Sequence, residues 1–459
     1  MYDMRPTYDQ LLEENILLKA IIKKLEERIA HLEAQLNQNS KNSSKPPSSD
    51  KKANLPPPQK KEKRPYHCGI SRQLLPESAV TSHERRCVEI CPRCRSKLIH
   101  TDHISKWQQI ELPFIKPLVH QIELVTSKCP CCCLDVRPEL SAHEQFLLGP
   151  RLEGFINLLL GKYRQGHRSV RELITTILPD VVLSQGLISK IKSRASIALS
   201  RPYEHLVEKI TSTNDPIYVD ATGWRHQAKN EHAIVLRSGS LVAYALTSHQ
   251  NSQTIATLLG RRLAHLVTDR GLACGKIQVK AHQYCLAHLI RNVRGQAEHP
   301  SATCEDTERL GELYDTLQSL FIDKHAAEQG RLSESTWRQY GYRKWQDCQE
   351  MVEELATVGS TKKLRRFCRR LLKDFAHLRI YLRNMAFPMT NNPAEEALRN
   401  LVIVRKLCFG SRSLYGKRWR EAVNSSIETL RRQGQSVLDF LSEAIRARRM
   451  NQASPSLWS

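Results

Sequence analysis

The chain has 459 residues, too many for one ordinary core, and 40% of them are hydrophobic, enough for globular folding over most of its length. Lys and Arg number 70 against 47 Asp and Glu, and the resulting +23 points to a polyanion partner, bound in a salt-dependent way, more than to a merely solvated surface. Residues after Met1 turn polar at once and no run of about 18 apolar residues occurs, which argues against a secretory leader and a membrane span; the 14 cysteines are expected as reduced thiols of a cytoplasmic protein, where clustered cysteines bind metal.

Residues 8–37 carry a 3.5-residue pattern, with Leu11, Leu18, Leu25 and Leu32 at d and Asn15, Ile22, Ile29 and Leu36 at a. Leucine at d with isoleucine at a favours a parallel two-stranded coiled coil, and one asparagine at a sets its register. A zipper over 1–38 and a homodimer through it are therefore expected; the alternative is an amphipathic helix folded onto its own domain. Residues 39–65, rich in Ser, Pro and Lys, read as a disordered basic linker.

Over 66–142 the chain carries Cys91-Pro-Arg-Cys94 and Cys129-Pro-Cys131-Cys132, two knuckles that suit one tetrahedral structural Zn2+ held by Cys91, Cys94, Cys129 and Cys132. Cys131 and Cys133 leave the register of the second knuckle open. The stretches WQQIELP and LVHQIELVTSKC between the knuckles are expected as strands of a zinc ribbon. Residues 143–212 are helical in period: Val170, Leu173, Ile174 and Ile177 share one face, and a second helix opens at Ser184 with Leu187, Ile188, Ile191 and Ala195 inward. The pair resembles a helix-turn-helix, which would present Ser189, Lys190, Lys192 and Arg194 to a DNA groove. A plain helical bundle is the alternative.

From residue 216 the period becomes that of strands: PIYVD, a hairpin across Ser238-Gly239, a helix in NSQTIATLLGRRL, then AHLVTD and KIQVKAH as strands. Three strands, a helix and a strand resemble the opening of a ribonuclease-H-like sheet. The expected fold class is α/β, a ribonuclease-H-like core over 213–296 with a helical insertion over 297–385, a core helix over 386–415 and a helical tail over 416–459.

Asp220 and Asp269 each end a β-branched apolar run, and Glu395 opens a helix. Converging carboxylates hold two Mg2+ for phosphoryl transfer, in which positioning and charge neutralisation do most of the chemistry. Taken singly, the aspartates also fit strand-end turns, and Glu395 fits a capping arrangement with Asn392 as N-cap and Pro393 at the first helical position. Cys285 and His288 stand one helical turn apart, followed by Arg291, and either pack or share a metal. Arg399, Arg405, Lys406 and Arg412 surround the helix bearing Glu395 and are candidate phosphate contacts. Trp224 is read as packing, with base stacking as the alternative.

Nearly the whole chain resembles the transposases of the insertion-sequence-66 family. The matching segments are the zipper, NSSKPPSSD at 42–50, the paired knuckles, VDATGWR at 219–225, YCLAHLIRNV at 284–293 and TNNPAEEALRNLVIVRK at 390–406. The resemblance implies an acidic catalytic triad at Asp220, Asp269 and Glu395, with Mg2+-dependent cleavage of double-stranded DNA at element ends and joining of 3′-OH ends to target DNA. Ala221 stands where the family commonly has Glu, Arg270 where it often has Gly, and Glu396 where it usually has Arg, so two acids adjoin at 395–396. The competing functions are a non-catalytic zinc-ribbon DNA-binding protein and a metal-dependent nuclease without strand transfer.

Overall fold

The computed structural model of the chain describes residues 8–39, 41–43, 73–99, 103–260, 265–272 and 277–458. Most of the linker expected over 39–65 lies outside the described residues. The chain divides into two compact units, Met1–Leu55 with Ile122–Ser459, and Pro56–Gln121.

In the smaller unit the first knuckle closes as a tight turn. The Cys91 N–H donates to Ser96 O, Arg95 N–H donates to Cys91 O, and Arg95 takes a left-handed φ of 57°. The larger unit repeats this turn at the second knuckle: Cys129 N–H to Leu134 O, Cys133 N–H to Cys129 O, and Cys133 at φ 58°. Position by position in this turn, Cys129 and Cys132 correspond to Cys91 and Cys94. Of the expected strands, WQQIELP forms none and LVHQIELVTSKC only a short piece near its end. Among the described residues between the knuckles only Ser127–Lys128 (β1) is a strand, paired with Asp135–Val136 (β2). Ile110, Leu112 and Leu118 are exposed, and alternation without a hydrogen-bonded neighbour leaves extended chain rather than sheet.

The larger unit begins with α1 (Tyr8–Leu36), whose d-position Leu11, Leu18, Leu25 and Leu32 and a-position Ile22 and Ile29 are all about half exposed. Four helices follow the second knuckle: α2 (Pro150–Gly161), α3 (His167–Ile177), α4 (Gln185–Ala198) and α5 (Ser200–Ser212). The helix expected to open at Ser184 does so: its side chain caps Leu187 N–H at 3.0 Å, satisfying a donor the first turn leaves orphaned.

Next comes a five-stranded sheet built from β3 (Ile217–His226), β4 (Lys229–Ser238), β5 (Leu241–Thr247), β6 (His265–Thr268) and β7 (Ala281–Tyr284), in the order β5-β4-β3-β6-β7. The first three strands are antiparallel, and β6 and β7 run parallel to β3 after the crossover helix α6 (Ser252–Leu259). Gly239 turns the hairpin at φ 57°. The last strand is AHQY, not KIQVKAH: Ile277 and Val279 pack beside the core without pairing, whereas polar Gln283 bonds Tyr284 O and Leu378 O through its amide. Helices α7 (Leu286–Ala297), α8 (Cys304–Glu328), α9 (Glu334–Val358) and α10 (Lys362–Leu378) form the expected helical stretch, and α11 (Asn392–Cys408), α12 (Leu414–Arg432) and α13 (Val437–Arg449) complete the chain.

Period-2 alternation gives the sheet two buried faces. Ala233, Val235, Tyr244 and Leu246 meet Ala394, Ala397, Leu398 and Leu401 of α11. Ile217, Val219, Ile234, Leu236 and Ala243 share a core with α2–α6, α12 and α13, so the segments 143–212 and 416–459 pack on the sheet. Val267 and Tyr284 join α7–α10 in a third core. Each large aliphatic side chain so buried contributes about 1.5–3 kcal/mol.

Candidate active site at the ends of three parallel strands

Strand register brings the first groups together. Val219 pairs with Thr268 and Thr268 with Tyr284, so Asp220, Asp269 and Cys285 are each one residue past the last matched pair of neighbouring parallel strands. The Cys285 N–H donates to Thr268 O at 2.9 Å and extends this alignment. Carboxyl ends of parallel strands are where α/β sheets gather ligands.

Two helix starts supply the rest. Cys285 caps α7, which carries His288 in its first turn, and α11 brings Glu395. The cap of α11 is Asn391, not Asn392 as expected, because Asn391 O accepts from Ala394 and Glu395 N–H. Its side chain does not fold back on the helix. Asn391 Nδ2 donates to Val219 O at 2.9 Å, and its backbone N–H points at Cys285 Sγ, 3.2 Å away. Asn391 thus fastens α11 to both the strand ending in Asp220 and the start of α7, and no capping box engages Glu395. Sequence reasoning missed this residue; the Asn391-Asn392-Pro393 run was its only signal, and proline drew the cap one position too far.

One ligand atom from each of Asp269, Cys285, His288 and Glu395 lies within 4.8 Å of the other three. His288 Nδ1 is 2.7 Å from Asp269 Oδ1 and 3.5 Å from Glu395 Oε1, and Arg291 reaches Glu395 Oε1 at 3.6 Å. These separations lack hydrogen-bond alignment: Asp269 Oδ1, His288 Nδ1 and Glu395 Oε1 are all buried without a hydrogen-bond partner. Buried polar atoms left orphaned around a common point are the donor set a cation would satisfy.

Asp220 belongs to the same field. Burial, then the charge of Asp269 and more weakly that of Glu395, lifts its carboxyl to about 7, against a pull downward from the Ala221 N–H. His288 responds in the opposite sense. Burial would lower it, but the neighbouring Asp269 and then Cys285 outweigh that and raise it to about 10. Glu396 faces elsewhere, paired with Arg237 at 2.8 Å and Arg432 at 3.2 Å. Of the two adjoining acids, Glu395 is the one in the cluster.

A comparison with known protein families matches residues 158–418, more than half of the chain, to the Transposase IS66 family. The chain belongs to that family. Residues 3–73 match a second one, described as a Family of unknown function (DUF6444), and no curated protein matches. Membership in the IS66 transposases implies a transposase role, a DNA-processing enzyme and divalent-metal use. Among the described residues no helix is long and apolar enough to cross a membrane.

The basic residues expected at DNA divide sharply in this IS66-family chain. Ser189, Lys190, Arg399, Lys406 and Arg412 are exposed. Lys192 instead lies over the buried Trp419 ring, 4.5 Å from its centroid, and burial lowers its ammonium to about 8. Arg194 pairs with the buried carboxylate of Glu153 and covers the Phe146 ring. Arg405 binds Thr222 Oγ1 at 3.1 Å and Gly223 O, tying α11 to β3. These three face the protein: the helix period that places a residue on one side does not say whether another helix covers that side. Trp224 is buried, its indole N–H donating to Ser411 Oγ at 3.1 Å, in agreement with packing.

Proposed function

We propose that this chain is a DNA transposase that cleaves element ends and joins the 3′-OH ends to target DNA by two-metal phosphoryl transfer. Asp220, Asp269 and Glu395 hold two Mg2+ on a ribonuclease-H-like sheet. The observation that carries this reading is the convergence of Asp269 and Glu395 through orphaned buried oxygens, beside an Asp220 carboxyl whose proton affinity their charge raises.

Divalent cations bound there supply Lewis-acid neutralisation of the phosphate and activation of a water or 3′-hydroxyl. The chain's own residues do the positioning. Asn391 fixes the angle of α11 against β3 and α7, and so fixes Glu395 relative to the two aspartates. The exposed Arg399 and Lys406 on α11, Arg412 just beyond it and Lys190 on α4 give the DNA backbone cationic partners. Thiol pairs Cys91–Cys94 and Cys129–Cys132, each in the same turn, keep structural Zn2+ in this reading: Ser96 lowers the Cys94 thiol to about 7, and the backbone N–H groups of Cys132 and Cys131 lower that of Cys129.

The deciding experiment is joining of pre-cut 3′-OH element-end DNA to a target in Mg2+, comparing the natural chain with Asp269→Asn. The expected result is strand-transfer product from the first and none above background from the second, with DNA binding retained in both. Cutting without joining would leave a nuclease, and identical behaviour of the two chains would leave a DNA-binding protein.

A further inference from the structure

We propose that His288, together with the sulfur of Cys285, completes a mixed nitrogen, sulfur and oxygen site at Asp269 and Glu395 that takes a borderline cation of the Zn2+ or Co2+ class as well as Mg2+. This rests on the metal-binding reading above and goes beyond it, because it makes one cation position chemically unlike an all-carboxylate one.

The geometry is that of a ligand cage. Four donors from three chain segments lie within 4.8 Å of one another. Bonds of about 2.0–2.1 Å to nitrogen and oxygen set ligand-to-ligand edges of about 2.9 Å at octahedral and about 3.4 Å at tetrahedral angles. The measured edges from His288 Nδ1, 2.7 Å to Asp269 Oδ1 and 3.5 Å to Glu395 Oε1, bracket that range. His288 is only 7% exposed, and its Nδ1 has no hydrogen-bond partner although two carboxylates surround it. An imidazolium present solely to pair with Asp269 would aim its N–H at Oδ1, and this ring does not.

Cys285 supports the same assignment. It is fully buried, and the Asn391 N–H is directed at its sulfur, which holds that sulfur at the start of α7 beside His288. Mg2+ prefers oxygen and keeps its waters, whereas imidazole and thiolate draw Zn2+ and Co2+. A strand end, a cap and a first helical turn therefore supply donors of three kinds to one point.

Cobalt titration of the metal-free full-length chain tests this, read by calorimetric stoichiometry and by thiolate-to-cobalt absorption. The natural chain, His288→Asn, Cys285→Ser and Asp269→Asn are compared, and far-ultraviolet circular dichroism confirms that each variant folds. Because the knuckle cysteines are intact in all four, any difference belongs to the buried cluster. The expected result is one Co2+ at the buried cluster of the natural chain, beyond any held at the knuckles. Its affinity should fall at least about tenfold in His288→Asn, and part of the absorption should vanish in Cys285→Ser. If Asp269→Asn loses that ion while the His288 and Cys285 variants keep it with unchanged affinity and spectrum, the site is carboxylate only: this inference fails and the acidic metal site stands. If no chain binds Co2+ beyond its knuckles, and Mg2+ binding is likewise unaffected by Asp269→Asn, both fail.

Discussion

Asp220 is where burial and like charge act together most directly. Its carboxyl, raised to about 7, keeps in the folded, metal-free chain a proton that the unfolded chain releases near pH 4. Stability from this group is therefore present at low pH and lost as pH rises through that window, by roughly 2–4 kcal/mol once discounted for partial exposure. His288, raised to about 10, has the same sign in a later window: its contribution is complete below its ordinary value and disappears as pH climbs through 10. Thermal melts of the metal-free chain should thus fall between pH 5 and pH 8, and Asp220→Asn, which cannot ionise, should flatten that fall. A variant whose melting changes with pH as steeply as the natural chain would show that Asp220 is not under this charge pressure.

Helices α2, α4 and α13 meet at a buried charge. Glu153 is fully buried and takes Arg449 at 2.7 Å as well as Arg194, while both guanidiniums cover the Phe146 ring. Breaking such a cluster strands the remaining charges, so Glu153→Ala should cost about 3–5 kcal/mol in denaturant unfolding. A loss below about 1 kcal/mol, the range of an exposed pair, would show that water reaches the arginines. Strand β5 raises a different problem, since its outer N–H groups would be unpaired at the sheet edge. Helix α12 answers it with side chains: Thr429, Ser425 and Glu421 accept from Val242, Tyr244 and Leu246 N–H at 3.1, 2.9 and 2.7 Å. Covering an edge in this way removes a template for aggregation. Where α11 ends, Gly410 at φ 113° runs so close to Arg225 O that a Cβ would be 2.1 Å from it, and this approach lets Ser411 N–H reach the same carbonyl.

At the scale of the molecule, α1 is the helix among the described residues whose apolar side chains stay most exposed. Leu11, Leu18, Leu25 and Leu32 with Ile22 and Ile29 are each about half exposed, and pairing with a second copy would gain up to about 1.5–3 kcal/mol per side chain buried. Removal of residues 1–38 should therefore convert a dimer into a monomer in analytical ultracentrifugation, and an unchanged dimer would place the self-association surface elsewhere. The net charge of +23 governs the second property at this scale. DNA affinity should fall linearly on a logarithmic salt scale, by about 0.9 of a unit slope per phosphate neutralised.

Much of the region around the acidic cluster was legible from residues alone. Apolar runs ending in Asp220 and Asp269, the hairpin at Gly239 and the helix start near Glu395 are local patterns, and local sterics and hydrogen bonding suffice to form them. The polar strand at 281–284 was not legible, because its stability comes from Gln283 bonding to Leu378 O, a partner 95 positions away. Lys192 and Arg194 looked like groove readers for the same reason: helical period gives a side, and only packing against Trp419 and Glu153 decides what covers it. The sequence by itself determined the elements, their order and the acids at their ends, since these follow from short-range propensity and turn chemistry. Only the tertiary structure decided that Glu396 turns to Arg237 and Arg432 while Glu395 lies with Asp269, and that His288 and Cys285 meet them, because side chains from separate segments share a point only when strand register and the Asn391 clasp bring them there.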